Sequence, residues 1–354
     1  MFVSRLRKYA LLAAAAAALL AAASFGAPSL ARACGGFFSR ASTASATTPS
    51  LSHEQVLLIY DTASRKEHFV REVTFRNGLE PFGFVVPTPS RPEVAAVKQS
   101  PFPALRAVAL TDDFPPPRRS SGDNKEGGTG ARRASAGVEV LAISKVGSFT
   151  AFVLAASDAK AFGEWLTQNG FQGSPATDEW LDHYVRQKFF YVAMRYEPPA
   201  EASSAARVVA ETVRISFSTP VPYYPYLEPR RAAGAPSPER LLDLWLVSTA
   251  PWTPISARTA GSKTAWVRPF RPTRGSAARY QLEASLGDEL VSLLPNGTVT
   301  LQTFQDQKTS REGFGDVLFA PVSPNSLAPE RLDELRLLLG SLDSALLPAP
   351  GASP

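Results

Sequence analysis

Ser157-Asp158-Ala159-Lys160 places a hydroxyl and an amine three residues apart, which is one turn if the segment is helical. In that geometry the lysine can help activate the serine as a nucleophile. The same residues have a plainer use, because a Ser or Asp at a helix start caps the exposed backbone N–H groups. The other residue types able to do chemistry are sparse. The histidines are His53, His68 and His183, and none stands at metal-ligand spacing from another His, Cys or carboxylate. There is no His-Glu-x-x-His motif, paired-cysteine motif, Gly-x-Ser-x-Gly elbow, phosphate-cradling glycine loop or dinucleotide fingerprint, so neither a metal nor a cofactor is expected. His53 beside Glu54 reads as polar surface. The acid pairs Asp112-Asp113 and Asp178-Glu179 fall in a loop and at a helix start, where acids are favoured by the helix dipole alone.

Lys263-Thr264-Ala265 could stand for the Lys-Thr-Gly strand of penicillin-recognising enzymes, but the Ser-x-Asn element those enzymes need is missing between it and Ser157. Capping is therefore the first reading of Ser157 and Asp158. A serine hydrolase of the cell envelope using Ser157 and Lys160 is the alternative. The best candidate binding surface is Tyr223, Tyr224 and Tyr226, flanked by Pro220, Pro222 and Pro229. Tyrosines on a proline-stiffened segment lose little entropy on contact and could stack on sugar or peptide. The competing reading packs the same rings into the core.

The address of the chain is written more clearly than its chemistry. Arg5, Arg7 and Lys8 precede an apolar run from Ala10 to Phe25, and Ala31-Arg32-Ala33 offers small residues where a signal peptidase reads. This predicts a signal peptide over 1–33 and an exported protein: periplasmic, envelope-associated or secreted. Cys34, the only cysteine, then begins the mature chain. It is a candidate lipidation site, although Ala31 and Arg32 suit a lipoprotein signal poorly. The other outcome is a soluble exported protein with a free thiol.

Four of the 37 Lys and Arg residues (Arg5, Arg7, Lys8 and Arg32) lie in the signal, and removing them brings the basic side chains within one of the 32 acidic ones. A nearly neutral mature chain gives no reason to expect nucleic acid as a partner. A membrane would be reached only through a lipid on Cys34. With one cysteine there is no internal disulfide, so stability must come from the core, for which 44% hydrophobic residues suffice.

Segment 34–50, rich in Ser, Thr and Ala, reads as a flexible tether. Residues 51–325 read as one α+β domain, mainly antiparallel β-sheet. Alternating and β-branched runs predict strands at Val56–Tyr60, His68–Phe75, Phe82–Val86 (stopped by Pro87), Val138–Ile143 and Phe149–Ala155. Further strands are predicted at 189–196, 206–218, 242–248, 264–270, 298–304 and 317–319. Between them, Ser157 or Asp158 starts a helix ending at Asn169-Gly170, and Thr177 or Asp178 starts another carrying Trp180, Leu181 and Tyr184. These are the two central helices. Residues 115–136 read as a disordered insertion without core-forming side chains. Leu332, Leu335, Leu338, Leu339 and Leu342 predict a C-terminal amphipathic helix within 326–345, followed by a disordered tail over 346–354.

The run Ala33-Cys34-Gly35-Gly36-Phe37-Phe38, the segment Phe84-Val85-Val86-Pro87-Thr88-Pro89 with Pro92-Glu93-Val94, and Ser218-Thr219-Pro220-Val221-Pro222-Tyr223-Tyr224-Pro225 together resemble a bacterial exported family known as domain of unknown function 2330. Phe304 through Asp316-Val317-Leu318-Phe319 is similar to it too. The resemblance implies export and one recurrent domain, and it brings no catalytic residues. Members often carry a second cysteine soon after the Cys-Gly-Gly-Phe-Phe run; Ser39 stands here, which leaves Cys34 unpaired. The expectation is a non-enzymatic binding or structural module whose partner is another envelope component, protein or polysaccharide.

Overall fold

A computed structural model describes residues 36–39, 50–76, 81–109, 134–135, 137–171, 175–197, 207–230, 241–260, 263–267, 271–272, 279–307, 311 and 314–322. In chain order the first half gives β1 (Gly36–Ser39), β2 (Ser50–Asp61), β3 (Lys66–Arg76), β4 (Phe82–Thr88), β5 (Glu93–Ala96), α1 (Phe102–Ala109), β6 (Ala134–Ser135), β7 (Val138–Val146) and β8 (Phe149–Ala156). Then come α2 (Ala159–Gln168), α3 (Pro175–Arg186), β9 (Phe190–Tyr196), β10 (Arg207–Val209), β11 (Val213–Ser218) and β12 (Tyr223–Tyr224). The last group is β13 (Leu241–Ser248), β14 (Trp252–Ala260), β15 (Lys263–Val267), β16 (Arg271–Pro272), α4 (Arg279–Val291), β17 (Thr300–Asp306) and β18 (Phe314–Pro321).

These strands form three sheets. The first has the order β1-β4-β9-β8-β7-β6, the second β16-β17-β13-β2-β3-β11-β5 with β10 also on β3, and the third β12-β18-β14-β15. All pairings are antiparallel except that of β2 with β13, which run parallel with Gln55 opposite Asp243 and Leu58 opposite Leu246. The α+β expectation with mostly antiparallel strands is therefore met.

The two central strands of the second sheet are apolar on both faces, as strands covered on both sides must be. Val56, Leu58 and Tyr60 of β2 face one core, while Leu57 and Ile59 face the other. The first core lies between the two large sheets: Phe75 meets Phe82 at 4.1 Å, and Arg71 lies over the Phe84 ring at 4.4 Å. On the far side of the first sheet sits α2, with Trp165 against Phe152 at 5.4 Å and Phe162 against Tyr191 at 4.4 Å, while α3 packs beside α2 and reaches the Leu227 carbonyl through Trp180. On the far side of the second sheet, Phe102 and Leu105 of α1 and Leu282, Leu286 and Leu290 of α4 close the smaller core over Leu57, Ile59 and Trp245. The layers thus run helices, sheet, sheet, helices. Each fully buried large side chain contributes roughly 1.5–3 kcal/mol of transfer free energy.

Local chemistry sets the element ends. Asp158, not Ser157, caps α2 by accepting from the Ala161 N–H at 2.7 Å. At the other end Gly170 takes φ 87°, the left-handed conformation expected at Asn169-Gly170. Pro87 lies inside β4 rather than ending it. The pairing of β1 with β4 stops at Val85, so Pro87 sits where that flank of β4 has no partner from β1 and the missing N–H costs no bond there.

The stretch 34–50 read as a tether contains β1, which pairs Phe37 with Phe84 and Phe38 with Gly83. The insertion 115–136 ends in β6, which folds onto Val138 and Glu139; its remainder lies outside the described residues. The predicted C-terminal helix over 326–345, the tail over 346–354 and the signal over 1–33 also lie outside them. Helices α1 and α4 and strands β5 and β14 were not expected from the sequence.

Candidate functional site

The three tyrosines do not form a surface. Tyr223 is 2% exposed, Tyr224 and Tyr226 are fully buried, and each hydroxyl donates to a carboxylate. Tyr223 reaches Asp316 Oδ2 at 2.9 Å, Tyr224 reaches Glu54 Oε2 at 3.1 Å, and Tyr226 reaches Asp306 Oδ2 at 2.8 Å. The backbone joins in: the Tyr223 N–H donates to Glu67 Oε2 at 2.7 Å and the Leu227 N–H to Asp316 Oδ1 at 2.9 Å. Tyr184 of α3 donates to the same Asp316 oxygen at 2.9 Å, and Tyr60 of β2 donates to the Pro220 carbonyl at 2.7 Å. The proline-rich segment is thus a strap that ties the second sheet to the third through the buried acids Glu54, Glu67, Asp306 and Asp316. A polar group buried without a partner is costly, which explains why each tyrosine hydroxyl of the strap has a carboxylate to donate to, although Glu67 Oε1 is buried without a hydrogen bond.

Burial sets the electrostatics of the strap. It raises Glu67 well above the usual carboxylate range, against the lowering effect of the Tyr223 N–H. It also raises Asp316, and it pushes Tyr184 and Tyr223 well above the ordinary phenol value, with the nearby Asp316 charge adding to the rise. Arg311 lies with Nε 3.3 Å from Asp306 Oδ2 and its guanidinium 4.3 Å from the Tyr226 ring, and burial lowers its pKa to about 9. Glu54 is ion-paired with Arg71 at 2.7 Å, both inside the core.

Ser157 and Lys160 are exposed at the start of α2, beside the first sheet, whereas Lys263 belongs to the third sheet. The Ser157 N–H donates to the Gly137 carbonyl at 3.0 Å, one rung beyond the Val138–Ala156 pair of β7 and β8. Cys34 lies outside the described residues.

The cluster with the most functional character gathers around His53, which the sequence alone suggests is polar surface. His53 points its Nε2 at Asp243 Oδ2 across 2.9 Å, with their side chains 12% and 5% exposed. Arg106 of α1 comes down onto this pair. Its Nη2 lies 3.3 Å from the His53 ring nitrogens and 3.7 Å from Asp243 Oδ2, and it also donates to Gln55 Oε1. The chain of partners continues across the sheet. Gln55 Nε2 donates to Glu72 Oε1 at 2.9 Å, Thr212 Oγ1 to Glu72 Oε2 at 2.8 Å, and Gln305 Nε2 to Asp243 Oδ1 at 3.0 Å. Register explains the row: Gln305, Asp243, Gln55 and Glu72 are direct cross-strand partners on β17, β13, β2 and β3. The cluster, an imidazole held against a carboxylate and a guanidinium, ties α1 to β2 and β13 through side-chain contacts. Its one sequence signal was the polar residues interrupting apolar β2 and β13. Among the described residues, no group of three His, Cys, Asp or Glu could hold a metal ion.

A family model for an uncharacterized protein conserved in bacteria, DUF2330, matches residues 28–262, and the chain belongs to that family. The match takes in β1 through β14, hence both large sheets except β16 and β17, and all of the His53, Gln55, Glu72, Arg106 and Asp243 cluster. No curated protein matches the chain. Among solved structures, the crystal structure of baculovirus P35 aligns at 9% identity with a TM-score of 0.34, covering 77% of this chain and 92% of that one. A likeness of that size carries no argument about fold or function.

Proposed function

We propose that this protein is an exported bacterial module of the cell envelope that binds or supports another envelope component without catalysing a reaction. The observation that carries the reading is the N-terminal sequence: three cationic residues, an apolar run to Phe25, and small residues before Cys34. The fold is compatible with cleavage there, since β1 begins at Gly36, two residues beyond Cys34. The non-enzymatic half rests on how the reactive groups are used. The tyrosine hydroxyls are spent on buried acids, and the serine and lysine of the candidate catalytic pair stand exposed at a helix start.

Intact mass of the chain recovered from the envelope fraction of a bacterial host tests the export half. The expected species begins at Cys34, with a diacylglycerol adduct if it is a lipoprotein and without one if it is a free exported protein. An uncut chain in the cytosol would overturn the reading. Exposure to a β-lactam probe tests the other half: no label is expected, and a label lost in Ser157→Ala would restore the hydrolase alternative.

A further inference from the structure

We propose that Asn296-Gly297 is a site of spontaneous covalent modification, at which the asparagine is converted through a cyclic imide into isoaspartate and aspartate. The sequence holds three Asn-Gly pairs, at 77–78, 169–170 and 296–297. Each is a turn signal, and in each the asparagine is chemically labile, because the glycine that follows has no Cβ to obstruct attack by its own backbone nitrogen. By sequence the three are equivalent. Asn77-Gly78 lies outside the described residues, and the fold treats the other two oppositely.

At the end of α2 both reacting groups are engaged. Asn169 Nδ2 donates to the Trp165 carbonyl at 2.8 Å and the Gly170 N–H to the Thr167 carbonyl at 3.1 Å, so neither the side-chain amide nor the nitrogen that must attack it is available. In the turn between α4 and β17, Asn296 and Gly297 are exposed, and among the described residues neither the Asn296 side chain nor the Gly297 N–H has a hydrogen-bond partner. Gly297 takes φ 80°, and a Cβ built on it would meet nothing within 4 Å, which leaves room beside it for the imide ring. Arg279 grips this turn without shielding it. Its Nη1 donates to the Pro295 carbonyl at 2.7 Å and to the Gly297 carbonyl at 2.8 Å, on either side of the reacting pair.

Water is the only co-reactant required. The Gly297 nitrogen gives up its proton, bonds to Asn296 Cγ and expels the side-chain nitrogen, which leaves as ammonia. Water then opens the imide. Addition at Cγ gives ordinary aspartate, whereas addition at the Asn296 backbone carbonyl carbon leaves the chain running through Cβ and Cγ as isoaspartate. A hydroxyl has replaced an amino group, and no electrons are transferred. Isoaspartate also lengthens the backbone between the two carbonyls that Arg279 bridges, so the tie from the first turn of α4 is loosened while Leu282, Leu286 and Leu290 keep the helix on its core.

Peptide mapping after incubation of the full chain in mildly alkaline buffer, with fragment ions that distinguish isoaspartate from aspartate, tests the assignment. In the folded protein Asn296 is expected to convert roughly tenfold faster than Asn169, whose side chain and following N–H must first leave their acceptors, and isoaspartate is expected among the products. In urea the two rates are expected to be close to equal. Asn296→Gln, whose longer side chain closes the ring poorly, is expected to stay unmodified at that position while Asn169 keeps its slow rate. Equal rates in the folded protein overturn the proposal, as does a difference that survives in urea or a product at position 296 that is aspartate alone.

Discussion

Glu54 and Arg71 show what single residues contribute here. Both are buried, their ion pair spans 2.7 Å, and Tyr224 and the Phe84 ring complete their surroundings. Glu54→Ala leaves a buried guanidinium without its carboxylate, and we expect a loss of about 3–5 kcal/mol in a urea titration. Replacing both partners, Glu54→Leu with Arg71→Met, is expected to cost less than the single change, because neither charge then remains buried. Two other residues give stability opposite pH slopes. Glu67 has its folded pKa raised, so its contribution is complete below the ordinary carboxylate value of 4.5 and is lost as pH rises through the folded value. Glu67→Gln is expected to flatten that alkaline loss. His68, bonded through Nδ1 to Ser216 Oγ at 2.8 Å, has its pKa lowered from 6.5 to about 4, first by burial and then by Arg214 and Lys66. Its contribution is present above 6.5 and is lost as pH falls toward 4, because the unfolded chain takes the proton first. Unfolding free energies of wild type and His68→Gln across this window are expected to diverge at neutral pH and converge at the acid end.

At the scale of elements, β4 and the residue after α2 meet through an absence. A Cβ on Gly83 would lie 2.2 Å from the Phe171 ring, so glycine is needed there for the ring to lie against the strand. Gly83→Ala is expected to lower stability by about 1–3 kcal/mol in thermal melts, by pushing that ring out of place. The strands and the two central helices were legible because period and punctuation agreed: apolar runs in β2 and β13, a capping acid at Asp158, a glycine at 170. Helix α4 was missed although Leu282, Leu286 and Leu290 repeat every four residues, since Gly287 at φ 72° interrupts the helix and no capping residue marks its start. Helix α1 was hidden by Pro101 and Pro103, which are tolerated at a first turn but read from sequence as a loop. Of the two readings of the tyrosines the buried one holds, and their acid partners lie 80 to 170 residues away, at separations no local pattern reports. The same holds for His53 and Asp243, whose pairing exists only through the register of β2 with β13.

For the whole molecule, the lone cysteine and the paired cores lead to one expectation: reductant should leave the thermal midpoint unchanged, because no disulfide within the chain can be broken. The four-layer arrangement supplies stability through two hydrophobic cores on either side of one sheet, and the strap from Thr219 to Arg230 links that sheet to the third. The parallel pairing at the centre of that sheet also sets an order of assembly. His53 and Asp243 are 190 residues apart, so β2 cannot find its parallel neighbour until most of the chain has been made. A polypeptide emerging from its amino end can close the β2–β3 hairpin at once, but must leave one flank of it waiting. Long-range closure of this kind is slow, and an unpaired apolar strand is prone to wrong partners in the interval. Folding yield should accordingly depend more on events at residues 241–248 than on anything nearer the start, and a chaperone that shields β2 would act at the step where the molecule is most vulnerable.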